Sequence, residues 1–207
     1  MNKLGDLSCN EFLTELASAA PAPGGGGGAA MAGALAAALA SMVANLTIGK
    51  EKFADREPEV KELLEQAEAE RVRLLALADE DAAVFNSFMS CYKLPKATDE
   101  EKAARTAAIR AAAKQAATVP LNIARSSFVV LKLADRLVVS GNPGVITDGA
   151  CSGLLARAAL RCAEYNVRIN LGLTKDEVWN EQAAAELKQL LADAEALETR
   201  LLAVTDK

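Results

Sequence analysis

Between Ala29 and Ile48 the chain runs for 20 residues without a formal charge, and most of them are alanine, glycine or leucine. A helix of that length is about 30 Å long, enough to cross a bilayer, so the stretch needs either lipid or a protein core around it. Alanine and glycine insert weakly into lipid, and Ser41, Asn45 and Thr47 interrupt the run. Apolar on every face and built of small residues, it reads as the central helix of a bundle in which neighbouring backbones come close, and no membrane association is expected. Alanine supplies 44 of the 207 residues. It is the best helix former and a poor strand filler, so the whole chain is expected to be all-α.

Helix punctuation supports that expectation. Ser8–Glu11, Thr98–Glu101 and Thr174–Glu177 each match the capping box, in which a hydroxyl and a carboxylate reciprocally satisfy orphan backbone N–H groups. Helices are therefore predicted to start near residues 9, 99 and 175. Pro58 suits the first turn of another that runs to about Tyr92 and stops before Pro95. Pro120 is expected to break or kink the pattern between 99 and 140. Gly141-Asn142-Pro143-Gly144 reads as a tight loop, with Thr147 as a cap for the next helix. The prediction is one domain over residues 1–207, an up-and-down bundle of about six to seven helices around the Ala/Gly-rich one.

The absence of histidine narrows the chemistry. Ser-His-Asp and Cys-His devices and His-ligated zinc proteases are excluded, so any proton transfer falls to Asp, Glu, Lys, Tyr or Cys. Cys9, Cys91, Cys151 and Cys162 contain no C-x-x-C pair, so no metal framework is expected and the thiols are expected to stay reduced. Asp6, Glu11 and Glu15 interrupt any apolar export signal, which points to the cytoplasm. A net charge of −5 without a basic, aromatic-interleaved block argues against nucleic acid.

Between 58 and 92 a 4-3 seam runs through Val60, Leu64, Ala67, Arg71, Leu74, Ala78, Asp81, Phe85, Phe88 and Tyr92. Asp81 on this inward face needs either a structural partner or a chemical task. Gly24 to Gly28, just before the small-residue helix, would let a ligand approach bare N–H groups, or would serve as a linker. Asp148 in a first helical turn is a candidate acid or base, or a dipole partner. Asn166 and Asn170, i and i+4, read a polar heterocycle or bridge helices. Lys50, Lys93 and Lys96 are by themselves ordinary solvated cations.

Taken together, Pro21-Ala22-Pro23-Gly24-Gly25-Gly26, Met42 to Thr47, Asp81 to Phe85, Leu94-Pro95-Lys96, Gly141 to Asp148 and Asn166 to Leu171 resemble the cyclodeaminase/cyclohydrolase family of tetrahydrofolate enzymes, over nearly the whole chain. Gly27 stands where the family usually has serine, and Thr147 where it often has serine. The resemblance implies a homo-oligomer, most simply a dimer, with a folate cleft and a tetrahydrofolate derivative as substrate. It implies 5,10-methenyltetrahydrofolate hydrolysis to 10-formyltetrahydrofolate, or the cyclodeaminase reaction of 5-formiminotetrahydrofolate, with no tightly bound cofactor and no metal.

On that resemblance Asp148 takes the main acid/base role, Asp81 is a second carboxylate or orienting partner, and Lys93 donates to a carboxylate or tunes it. Gly24, Gly25 and Gly26 approach the ligand through backbone N–H groups. Asn45, Asn142, Thr147, Asn166 and Asn170 hold the pterin or the reacting centre, and Lys50 or Lys96 meets the glutamate tail. The competing class is a non-catalytic helical scaffold. The seam and the Ala-rich helix fit it as well as they fit an enzyme, whereas the clustered Gly, Asn and Asp motifs do not.

Overall fold

The computed structural model describes residues 3–205. Six α-helices follow one another: α1 (Cys9–Leu16), α2 (Gly24–Asn45), α3 (Glu57–Cys91), α4 (Asp99–Ser140), α5 (Ile146–Thr174) and α6 (Glu177–Thr205). Short 3₁₀ turns lie at Leu4–Asp6, Glu51–Phe53 and Pro143–Val145, and no strand occurs among the described residues. The all-α bundle expected from the alanine content is the observed architecture.

Two of the three capping boxes form as expected. Glu11 N–H donates to Ser8 Oγ at 3.3 Å while Ser8 N–H donates to the Glu11 carboxylate at 2.8 Å, and Thr98 with Glu101 repeats the exchange at the head of α4. The third does not. Thr174 belongs to the last turn of α5, where its hydroxyl donates to Asn180 Oδ1 at 2.6 Å, and Lys175 turns the chain at φ 55°. Asp176 then caps α6 by accepting from Trp179 N–H at 3.1 Å, because a carboxylate next to the first turn serves orphan donors without a box.

Two expectations about breaks are corrected. The glycines form no loop: Gly24 to Gly28 are the opening turns of α2 itself. Pro120 does not break its helix, for α4 runs unbroken over 42 residues with Pro120 buried inside it. Proline removes the N–H that would have met the carbonyl four residues earlier, here Ala116. Asn170 Nδ2 of α5 donates to that carbonyl at 2.9 Å, so the freed acceptor is satisfied across the helix interface.

The seam on α3 faces inward as the spacing requires: Val60, Ala67, Leu74, Ala78 and Phe88 are buried. Arg71, the basic exception, pairs along its own helix with Glu68 at 2.7 Å. Small residues set the approach of α2 to its neighbours. A methyl at Gly33 would sit 3.1 Å from Leu74 of α3 and from Ser127 of α4, and Ser152 Oγ of α5 donates to Ala36 O of α2 at 2.7 Å. α4 is the helix that touches α2, α3, α5 and α6 alike. Length and composition would let α2 cross a bilayer, but 61% of its apolar window is buried in the bundle. Leu35 and Met42 on it, and Leu46 just past its end, stay exposed.

α6 is held to α4 by ion pairs: Arg125 grips Glu186 bidentately at 2.6 Å per bond, Lys114 meets Asp176 at 2.7 Å, and Arg200 pairs with the buried Asp135.

Candidate active site

α2 and α5 lie side by side and antiparallel. Asn166 flanks Gly25, Ser152 meets Ala36, and Asn142 meets Leu46 and Thr47. This alignment gives the pair two polar ends.

At the glycine end, the seam of α3 brings Asp81 against the first turn of α2, so closely that a methyl group at Gly26 would collide with its carboxylate. Only glycine leaves room there. At Gly27 a Cβ would come within 2.8 Å of Pro23 Cβ, so serine at that position requires Pro23 to shift. A cavity of about 290 Å³ opens from Asp81 and is lined also by Val84, Phe85, Phe88, Asn166 and Asn170. Burial raises the pKa of Asp81 to about 6, with the charge of Glu80 a second cause, and no hydrogen bond from the described residues lowers it. An acid at that value exchanges its proton near neutrality.

The two asparagines are oriented by backbone carbonyls. Asn166 Nδ2 donates to Cys162 O at 2.9 Å, and Asn170 Nδ2 donates to Asn166 O at 2.8 Å as well as to Ala116 O. Both N–H groups of Asn170 and one of Asn166 are so committed, and the Oδ1 atoms of both are left to accept from a ligand. Asn170 therefore bridges helices, the second of its two sequence readings, while keeping an acceptor for the first. Phe85 and Phe88 line the cavity although the sequence placed them only on the seam. Pro120 was legible as a helix breaker but not as the cause of a carbonyl that would orient Asn170.

The other end is built differently. Asn142 N–H donates to Thr47 Oγ1 at 2.9 Å, its Nδ2 donates to Leu46 O at 3.1 Å, and its Oδ1 accepts from Gly144 N–H at 3.0 Å. Thr47 in turn donates to Val43 O at 2.7 Å. These bonds clamp the loop before α5 onto the C-terminus of α2. Asn45, Lys50 and Thr147 are exposed beside the clamp, and Asp148 is half-buried in the first turn of α5.

The structure thus divides the predicted site. Gly24, Gly25, Gly26, Asp81, Asn166 and Asn170 share one end. Asn45, Lys50, Asn142, Thr147 and Asp148 share the other, and Asp148 lies about 27 Å from Asn166 along α5 at 1.5 Å per residue. Lys93 and Lys96 sit exposed on the α3–α4 connection. Lys93 is some 12 residues, about 18 Å, beyond Asp81, and it is not among the causes of the carboxyl's shift, so within one chain it does not tune Asp81. Among the described residues no cluster of three or more His, Cys, Asp or Glu side chains is placed to hold a metal ion.

Comparison with known proteins bears on this arrangement. Residues 8–189 match the model of a family described as formiminotransferase-cyclodeaminase. A methenyltetrahydrofolate cyclohydrolase from Methylorubrum extorquens is 45% identical over 197 residues, which cover 95% of each chain. The formimidoyltransferase-cyclodeaminase of Rattus norvegicus is 33% identical over 189 residues, 91% of this chain and 35% of that longer protein. Among solved structures, formiminotetrahydrofolate cyclodeaminase from Thermotoga maritima superimposes with a TM-score of 0.87 at 32% identity, covering 96% of both chains.

Proposed function

Because this chain belongs to the formiminotransferase-cyclodeaminase family, we propose that it is a folate one-carbon enzyme that hydrolyses 5,10-methenyltetrahydrofolate to 10-formyltetrahydrofolate. The observation that carries the reading is Asp81, a desolvated carboxyl set between the bare backbone of α2 and a cavity walled by Phe85 and Phe88.

The substrate suits this surrounding. Its reacting carbon sits between N5 and N10 and carries a delocalised positive charge, which a carboxylate in a low-dielectric pocket stabilises strongly. Water attacks that carbon as a carboxylate takes one of its protons, and a C–O bond forms. The tetrahedral adduct collapses by breaking the C–N5 bond. The electron pair goes to N5, which is protonated, and loss of the remaining hydroxyl proton leaves the N10-formyl group. Phe85 and Phe88 flank the flat pterin, and the Oδ1 atoms of Asn166 and Asn170 accept from its N–H groups. Gly24 to Gly26 approach through backbone, and the exposed Lys96 meets the glutamate tail. No tightly bound cofactor is needed, and the enzyme works in the cytoplasm as a homodimer.

The Thermotoga maritima neighbour supports a second reading, cyclodeamination of 5-formiminotetrahydrofolate, in which N10 attacks the formimino carbon and ammonia leaves. Both reactions pass through an sp³ carbon bonded to the same two nitrogens. An absorbance assay separates them when the two substrates are offered side by side. Loss of the methenyl chromophore from the first substrate is the expected result. Its appearance from 5-formiminotetrahydrofolate, with methenyltetrahydrofolate left intact, would replace the hydrolase reading with the deaminase one.

A further inference from the structure

Two helices outrun the rest of the bundle. α2 starts opposite Asp81, and α6 starts opposite Lys114, which pairs with Asp176, so α3 beyond Asp81 and α4 before Lys114 continue as an antiparallel hairpin. Residues 82 to 91 carry α3 about 15 Å further. From residue 82 to residue 112 only Phe88 is buried, at 7% exposed, and every other side chain is half-buried or exposed. Such a hairpin has no core of its own to fix a large side chain, yet Phe88 walls the cavity that opens from Asp81. What holds its ring in place is local.

The contacts that do so form a path. Phe88 meets the ring of Tyr92, one turn on, edge to face, with centroids 5.3 Å apart and planes at 87°, the arrangement that aromatic quadrupoles favour. Tyr92 is itself 42% exposed and is held from the other leg of the hairpin, where the Arg105 guanidinium lies 5.6 Å from its ring centroid. Arg105 Nη2 also donates to the Tyr92 carbonyl at 3.2 Å, an acceptor that the end of α3 leaves without a helical partner. Its Nε is buried with no acceptor among the described residues. An unmet N–H costs stability, so the flat contact with Tyr92 and the carbonyl bond are what keep the guanidinium there. A lysine has a point charge and no plane, and it would serve the carbonyl but not the ring.

We infer that Arg105 is a positioning residue for the Asp81 site: it fixes Tyr92, Tyr92 fixes Phe88, and Phe88 with Phe85 sets the slot that takes the flat ring of the substrate. Arg105 touches no reacting group. It acts through two aromatic rings and governs binding, not chemistry.

The inference rests on the folate reading for its kinetic readout and on the protein alone for its spectroscopic one. Arg105→Ala is expected to raise KM for methenyltetrahydrofolate about three- to tenfold, the size of a lost aromatic contact, with kcat within about twofold. Tyr92→Ala should do the same, and the double variant should be no worse than either single change, since both cut one path. An unchanged KM, a fall in kcat without a rise in KM, or effects that multiply in the double variant would overturn the path. Without any substrate, protein labelled with para-fluorophenylalanine gives a fluorine NMR signal from each of its five phenylalanines, and Phe88→Leu identifies the one from Phe88. Arg105→Ala, or Arg105→Lys should the alanine variant fail to fold, is expected to move that signal and leave those of Phe12 and Phe53 in place. A Phe88 signal that stays put in a folded variant would refute the inference. A wild-type chain inert towards both folates, whose Phe88 signal still moves on substitution of Arg105, would sink the proposed activity and leave the positioning path standing.

Discussion

The two ends of the α2/α5 layer use the same residue types to opposite effect. At the Asn142 end every polar group of the asparagine has a partner in the protein: its N–H, Nδ2 and Oδ1 tie the loop to α2 through Thr47, Leu46 and Gly144. At the glycine end Asn170 commits both side-chain N–H groups and Asn166 one, and Asp81 lies beside them with no hydrogen bond from the described residues to offset its burial. One end is satisfied and holds structure. The other is unsatisfied and is held ready for a ligand, at some cost in stability. Residue type therefore says little about role until the partners are known.

That contrast is open to direct attack. Asp81→Asn should lower kcat by about 10²-fold or more while the protein stays folded, since it removes an acid/base group and keeps the shape. Steady-state kinetics with methenyltetrahydrofolate checks it, and wild-type-like kcat would remove Asp81 from the chemistry. Gly26→Ala should cost about tenfold or more in kcat/KM, because the added methyl collides with the Asp81 carboxylate and displaces it. Gly25→Ala is the control, with its Cβ 3.4 Å from the Asn166 amide in ordinary contact.

Asn142→Ala should do the reverse of these, destabilising the fold by about 1–3 kcal/mol in urea melts through its lost bonds while leaving kcat within a few-fold. A large kcat loss without destabilisation would merge the two ends in function. Comparable in size is a pH effect at Asp81. Its folded carboxyl titrates near 6 against an ordinary 3.8, so ionising it penalises the native state as pH rises through that window. Asp81→Asn should then be more stable than wild type by about 1–3 kcal/mol above pH 7, with the gap closing below pH 4. A pH-independent difference between the two melts would refute the desolvation account. Smallest should be Pro120→Ala, which restores an N–H to compete for Ala116 O and loosens Asn170, raising KM by about two- to fivefold with kcat little changed.

How much of this was visible in the chain differs by element. The capping boxes at Ser8 and Thr98 and the α3 seam were legible because each is a local pattern whose partners lie three or four residues away. The box at Thr174 failed for a local reason as well: α6 starts at Glu177, and Asp176, next to its first turn, caps it by accepting from Trp179 N–H. Of the two outcomes expected at Pro120, the break fails because the freed carbonyl is satisfied by Asn170, 50 residues away and on another helix. The glycine run was read as lying just before the small-residue helix, yet α2 begins in it. The collision at Gly26 that demands glycine comes from α3, which no local pattern reveals.

Sequence alone determined the all-α class, most helix limits, the exclusion of imidazole chemistry and the identity of the polar residues, since propensity, capping and side-chain chemistry are properties of short segments. Tertiary structure decided which of those polar residues meet. It brought Asp81 to Gly26 and Asn166, and sent Asp148 to the far end of the same layer, because antiparallel packing of α2 on α5 places the start of one beside the end of the other. It also left a charge-free stripe of α2 outside the core. Composition could mark that helix for burial, but only packing shows which of its sides the chain's own helices do not cover.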